Sequence, residues 1–136
     1  TLYFDSDLKM PMVYQPGEDR WETISRVQVT LGASSVDGQY LTINGAQSSA
    51  VGSLVPHNAV IRSISVMAGG GALTKAFELR KNGSELPLMS FSLVDGKYSA
   101  DVSINVSKLD FLQVFASPIG NKATNVVAVL ELAYTK

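Results

Sequence analysis

The stretch TNVVAVLELAYT, Thr124 to Thr135, decides the fold class. Val126, Ala128, Leu130, Leu132 and Tyr134 recur at every second position. Val127, Val129 and Ala133 fill the places between, interrupted only by Glu131. A period of two is the spacing of a strand, whose successive side chains point to opposite faces. Antiparallel sheets usually leave one face in water, so a strand that is apolar on both faces needs cover on both sides. Two sources of that cover stay open: a loop or the chain's own N-terminal arm, and a neighbouring subunit. DFLQVFAS, Asp110 to Ser117, has the same two-sided character. On the second alternative Val127, Val129, Leu112 and Val114 are the candidate oligomer-interface residues.

Upstream the alternation continues. Val60, Arg62, Ile64 and Val66 interleave with Ile61, Ser63, Ser65 and Met67. Phe77, Leu79 and Lys81 alternate with Ala76, Glu78 and Arg80, and Asn82-Gly83 follows as a tight-turn dipeptide. Pro87, Met89, Phe91 and Leu93 alternate with Leu88, Ser90 and Ser92 ahead of Asp95-Gly96, and Val102, Ile104 and Val106 alternate with polar residues. Asp37-Gly38, Asn44-Gly45 and the run Gly69 to Gly71 complete a set of turn signals spaced about 8–12 residues apart, as in a sandwich or barrel. No helical stripe and no long repeat is present. Roughly eight to ten strands favour an all-β, antiparallel two-sheet jelly-roll-like sandwich over a seven-stranded immunoglobulin-like one. The chain reads as one domain over 1–136. Residues 1–25 form an N-terminal arm, too short for a core of its own, and residues 26–136 form the sandwich.

Composition excludes several function classes. The 136 residues are 46% hydrophobic and 17% charged, too apolar for a disordered chain and light in charge for a monomer's surface. A net charge of −1 leaves no electrostatic footprint for nucleic acid or an anionic membrane. No apolar run approaches the ~20 residues of a membrane-spanning helix. The chain has no cysteine, so disulfides, thiolate metal sites and cysteine nucleophiles are ruled out. It opens on Thr1 without a leader pattern, which reads as a processed product or a domain cut from something longer.

The candidate sites read as architecture. Gly69-Gly70-Gly71 precedes a strand pattern and no Gly-Lys-Ser/Thr follows, so it is a hairpin loop and not a phosphate cradle. His57 is the single histidine, set in a loop before a strand, and one histidine makes neither a two-histidine metal site nor a recognisable triad. Asp5 and Asp7 lie two apart, a spacing that puts two carboxylates on one strand face and could hold calcium or do acid/base work. Leu8-Lys9-Met10 supplies no third oxygen ligand and no glycine, so Asp5-Ser6-Asp7 is read as a turn. Tyr3, Phe4, Tyr14, Trp21 and Tyr40 could form a sugar-stacking platform, but rings serve cores and seams equally well. No catalytic, cofactor or metal site is assigned.

Leu2-Tyr3-Phe4-Asp5-Ser6-Asp7-Leu8-Lys9-Met10-Pro11, then Val13-Tyr14 and Trp21, resembles a recurring segment of bacteriophage tail-fibre and spike proteins. In those it is a small hairpin of two aromatic strands about an Asp-containing turn, followed by a tryptophan. Here Met10 separates Lys9 from Pro11, and Gln15 to Asp19 lengthens the approach to Trp21. The remainder, through Gln39-Tyr40-Leu41, Gly52 to Pro56, Ala59 to Val66 and Phe77 to Gly83, is similar to the C-terminal β-domain of phage fibres and virion appendages. The resemblance implies a hairpin arm packed through Tyr3, Phe4, Tyr14 and Trp21, a homotrimer, a place in the virion among other virion proteins, and no enzyme activity. It implies host attachment by the distal domain of a fibre or spike, with a cell-surface glycan or protein as target. A capsid decoration protein or head fibre docking through the arm is the first alternative, and a carbohydrate-binding module the second.

Overall fold

A computed structural model describes residues 2–42 and 49–136. Those residues form eleven strands and no helix: β1 Leu2–Asp5, β2 Met10–Gln15, β3 Arg20–Thr23, β4 Val27–Val36, β5 Ser53–Leu54, β6 Ala59–Gly71, β7 Ala76–Lys81, β8 Met89–Ser92, β9 Lys97–Val106, β10 Phe111–Ala116 and β11 Ala123–Tyr134. All the strand pairs are antiparallel. The expected two sheets are three. Two four-stranded sheets, β4-β11-β6-β9 and β5-β10-β7-β8, carry the core, and β1-β2-β3 makes a separate meander.

The third sheet corrects the expected hairpin arm. The Glu18 amide donates to the Gln15 carbonyl, and Asp19 takes a left-handed φ of 50°, so the chain reverses after β2. Arg20 to Thr23 then pair back along it, with Trp21 opposite Tyr14.

The alternation seen in the sequence builds the core. Leu31, Ile61, Ile64, Val66, Val126 and Leu130 from one sheet meet Phe77, Leu79, Phe91, Leu112 and Val114 from the other. Leu112 and Val114 are fully buried there, so they are not available to a second subunit, contrary to their assignment as interface residues. The two-sided apolar look of their strand has another cause. Phe115 lies on the outward side beneath the chain's own Arg80 and Tyr40, with the guanidinium 3.8 Å from its ring centre.

Turn dipeptides do what their chemistry allows. Asn82-Gly83 (φ 57° and 72°) and Asp95-Gly96 (φ 51° and 77°) both adopt paired left-handed conformations. Asn44-Gly45 lies outside the described residues. At the end of β6, a Cβ on Gly70 would come within 2.8 Å of the Thr124 hydroxyl. One on Gly71 (φ +70°) would come within 2.4 Å of the Lys122 carbonyl. Glycine is required because the start of β11 pairs there. The expected hairpin loop is therefore the end of strand β6, with Gly70 and Gly71 opposite Thr124 and Ala123, and the turn after it crosses to β7 in the other sheet.

The topology gives the sandwich two unlike ends. Tyr134, Ala59 and Val106 pair at one end, and Ala123, Gly71 and Val36 at the other. The arm joins the first end. Trp21 O accepts the Lys136 amide, Thr23 Oγ1 accepts the Tyr134 amide, and Glu22 bridges to Thr135. The turns after β4, β6, β8 and β10 gather at the second end.

Candidate functional site

Along β11 the inward residues Val126, Ala128, Leu130 and Leu132 are buried in the core, and Val127, Val129, Glu131 and Ala133 face outward. The two halves of this outer face differ in their cover. At the arm end, outward-facing Val60 and Ala133 are fully buried although they lie outside the core cluster. Met12 of the arm is the remaining buried apolar residue of that kind among the described residues, which makes the arm their cover. At the far half, among the described residues, nothing covers Val127, which is 47% exposed, or its cross-strand neighbour Met67, which is 51% exposed. With Val129, Ser65, Lys97 and Ser99 they line a shallow, largely apolar hollow of about 570 Å³.

The arm is fastened mainly by charge. Arg62, at a bulge in β6, grips Glu18 with both Nη atoms at 2.7 and 2.8 Å and Glu22 through Nε at 3.2 Å and Nη2. Ser103 Oγ donates to Glu18 at 2.7 Å, and Arg20 donates to Glu18 and Asn105. The Arg62 guanidinium, helped by the Ser103 hydroxyl, holds the Glu18 carboxyl down at about 2, and the two carboxylates push Arg62 up in return. A second clasp joins Lys136 Nζ to Asp5 at 2.5 Å.

Asp5 is 1% exposed and serves the turn assigned to it. Its Oδ1 accepts the amides of Asp7 (2.9 Å) and Leu8 (2.8 Å), and the Tyr3 hydroxyl donates to Oδ2. Lys136 is the main cause that lowers its pKa to about 2, with the Leu8 amide next. The Asp7 side chain is 87% exposed and lies 3.9 Å from the same Lys136 ammonium, so the two carboxylates share a cation at the edge of the turn. Tyr3 and Tyr14 pack on Trp21 with ring centres 4.6 and 5.3 Å away, leaving the indole half-buried. Phe4 does not join them: it is 62% exposed on the opposite face of β1. His57 packs edge-on to Tyr134 at 5.0 Å.

At the loop end stands Lys75, which belongs to no motif in the sequence. Its side chain is 1% exposed, and its ammonium donates to Asp37 Oδ1 at 2.6 Å, the Asn121 carbonyl at 2.9 Å and the Ile119 carbonyl at 3.2 Å. Its own carbonyl accepts the Leu93 amide, so one residue ties together the turns that follow β4, β6, β8 and β10. An ammonium has three donors, and all three are used. No sequence signal marks this role, because its partners lie 38 to 46 residues away and two of them are backbone.

No group of three or more histidine, cysteine, aspartate or glutamate side chains is placed to hold a metal among the described residues. No protein-family model and no curated protein matches the sequence.

Proposed function

We propose that this chain is a non-enzymatic structural domain of a bacteriophage virion: the distal domain of a homotrimeric fibre or spike that attaches the particle to the bacterial surface. The observation that carries this reading is the molecule's polarity. The arm lies at one end, fastened to Tyr134, Thr135 and Lys136 and suited to a mounting, and four turns converge on the opposite end, free for contact. Binding residues collect on loops held by a rigid scaffold, and three copies multiply a weak contact. Strand order supports a jelly roll. Counting β4 as the first of eight, one sheet runs first, eighth, third, sixth, and the other second, seventh, fourth, fifth.

The trimer seam is the open half of the β4-β11-β6-β9 outer face, centred on Met67, Val127 and Val129. Lys97 is the one charge lining it, so burial against another copy strands little charge. Light scattering at micromolar concentration gives a trimer, and Val127→Glu gives a folded monomer. A monomeric wild-type protein overturns the trimer. Fluorescently labelled protein binds whole bacterial cells saturably, and failure to bind any of a broad panel overturns attachment.

One observation favours the decoration reading as a second choice. Leu2 and Phe4, 64% and 62% exposed, share a face of the arm with Val13 and Pro11. A decoration protein would seat that face on the capsid, and Leu2→Ser with Phe4→Ser would abolish capsid binding while leaving cell binding intact.

A further inference from the structure

We infer that the loop end carries a preformed groove for an uncharged, hydroxyl-rich chain, a polysaccharide, and that Lys75 fixes the groove's shape. This rests on the attachment reading and adds the place and the chemistry of the contact. Two hollows, of about 430 and 350 Å³, are both lined by Ala76 and Ser117 and so adjoin one another. The first lies between the turn after β6 and the turn after β10. The second continues over the outer face of β7 and β8. A trough of that form, open along its length, suits a polymer passing through it better than an enclosed small molecule.

The lining decides the ligand's chemistry. Thr74, Ser117, Ser90 and Ser92 offer hydroxyls, and Asn121 offers an amide. Each hydroxyl can donate or accept, which is what an array of sugar hydroxyls asks of a surface. None of the lining residues carries an unpaired charge. The Lys75 ammonium is spent on three acceptors, and Glu78 is held by Arg80 at 2.8 Å. A phosphate-rich or acidic polymer would find no free cation in the trough, and a basic peptide no free carboxylate. Ile119, 83% exposed at one wall, supplies an apolar contact for the C–H face of a ring.

Lys75 is a positioning residue here, because its ammonium lies beneath the groove and reaches the walls. It bonds the carbonyls of Ile119 and Asn121 in one wall, and its own backbone belongs to the other. The groove therefore needs no ordering when a ligand arrives, which lowers the entropic cost of binding.

The test uses the purified trimer with soluble dextran, galactomannan and hyaluronan, and in parallel with whole cells. Ser90→Tyr fills the trough from an exposed strand position, and Asn121→Ala removes the amide but keeps the carbonyl that Lys75 holds. Binding to a neutral polysaccharide, absent for hyaluronan and weakened about tenfold or more by each variant at unchanged melting temperature, supports the inference. Lys75→Met weakens that binding and exposes 117–122 to protease, and Lys75→Arg restores part of it. Cell binding that both groove variants leave intact overturns the groove and spares the attachment reading. Groove-dependent polysaccharide binding without binding to any cell does the reverse. Binding to hyaluronan alone, or to no polysaccharide, overturns the inference.

Discussion

A cation lies at the centre of each end of this sandwich, half-buried Arg62 at the arm end and buried Lys75 at the loop end, and the two are held differently. At the arm end Arg62 is shared by two carboxylates, Glu18 and Glu22, both from the arm. At the loop end Lys75 spends two of its three bonds on backbone carbonyls. A guanidinium fork matches carboxylates two at a time, and an ammonium is a compact point charge whose donors can be turned to separate loops. The difference sets what each end responds to. Carboxylates titrate and carbonyls do not, so the arm is an attachment that acid can loosen.

The comparison breaks most sharply at Arg62. Arg62→Met leaves the nearly buried Glu22 without its cation and Glu18 with Arg20 alone, at a cost of about 3 kcal/mol. The loss falls on the arm first. Trp21 is the single tryptophan and lies in the arm, so its emission reports that end alone. In urea its transition separates from, and precedes, the loss of β-sheet circular dichroism. Coincident transitions would show that arm and sandwich unfold as one unit. Lys75→Met ranks next, at about 2 kcal/mol, since two carbonyls lose a charged donor while Asp37, 44% exposed, is rehydrated. Here Trp21 emission holds and limited proteolysis cuts within 117–122. Cleavage in the arm instead would mean that the ends are coupled.

The sandwich strands from Ala59 onward were legible because alternation is local, whereas β4 and β5 were not read. The two faces of Thr124 to Thr135 sort as written, and Asn82-Gly83 and Asp95-Gly96 take the left-handed pairs their chemistry favours. Strand β3 was not legible. Arg20, Glu22 and Thr23 are polar, and Glu22 and Thr23 are buried by an ion pair and hydrogen bonds in place of apolar contact. No period in hydrophobicity reveals such a strand. The same limit hid Arg62 and Lys75. A cation whose partners lie some 40 residues off leaves no local pattern, and Lys75 resembles any surface lysine until its surroundings are known. Leu112 and Val114 were misplaced because a strand covered outside by its own Arg80 and Tyr40 looks the same in sequence as one covered by another subunit.

Acid separates the ends without a mutation. Glu18 and Asp5 are held at about 2 by Arg62 and Lys136, below their ordinary values of 4.5 and 3.8. Their folded-state values are depressed, so their contribution is complete above the ordinary carboxylate range and is lost as the pH falls from about 4.5 towards 2. Trp21 emission should shift across that window before the sheet signal falls. The Asn121 and Ile119 carbonyls keep their bonds to Lys75 throughout, so protease resistance of the loop end outlasts the arm. Loss of the loop end first would invert the comparison.

The smallest change expected at neutral pH is Lys136→Met. Lys136 is 53% exposed, and removing it leaves Asp5 its turn bonds from the Asp7 and Leu8 amides and its contact with Tyr3. The turn therefore keeps its shape, and the melting temperature at pH 7 moves little. What changes is the size of the acid transition. Lys136 is the first cause of the low Asp5 pKa, so without it Asp5 titrates closer to the ordinary carboxylate range and contributes less stability for acid to remove. Glu18, still held by Arg62, keeps the window of the transition in place. The acid-dependent loss of arm stability then shrinks without moving. A displacement of the entire window would make Lys136 and Arg62 one cooperative clasp, and an unchanged loss would leave Arg62 as the sole fastening of the arm.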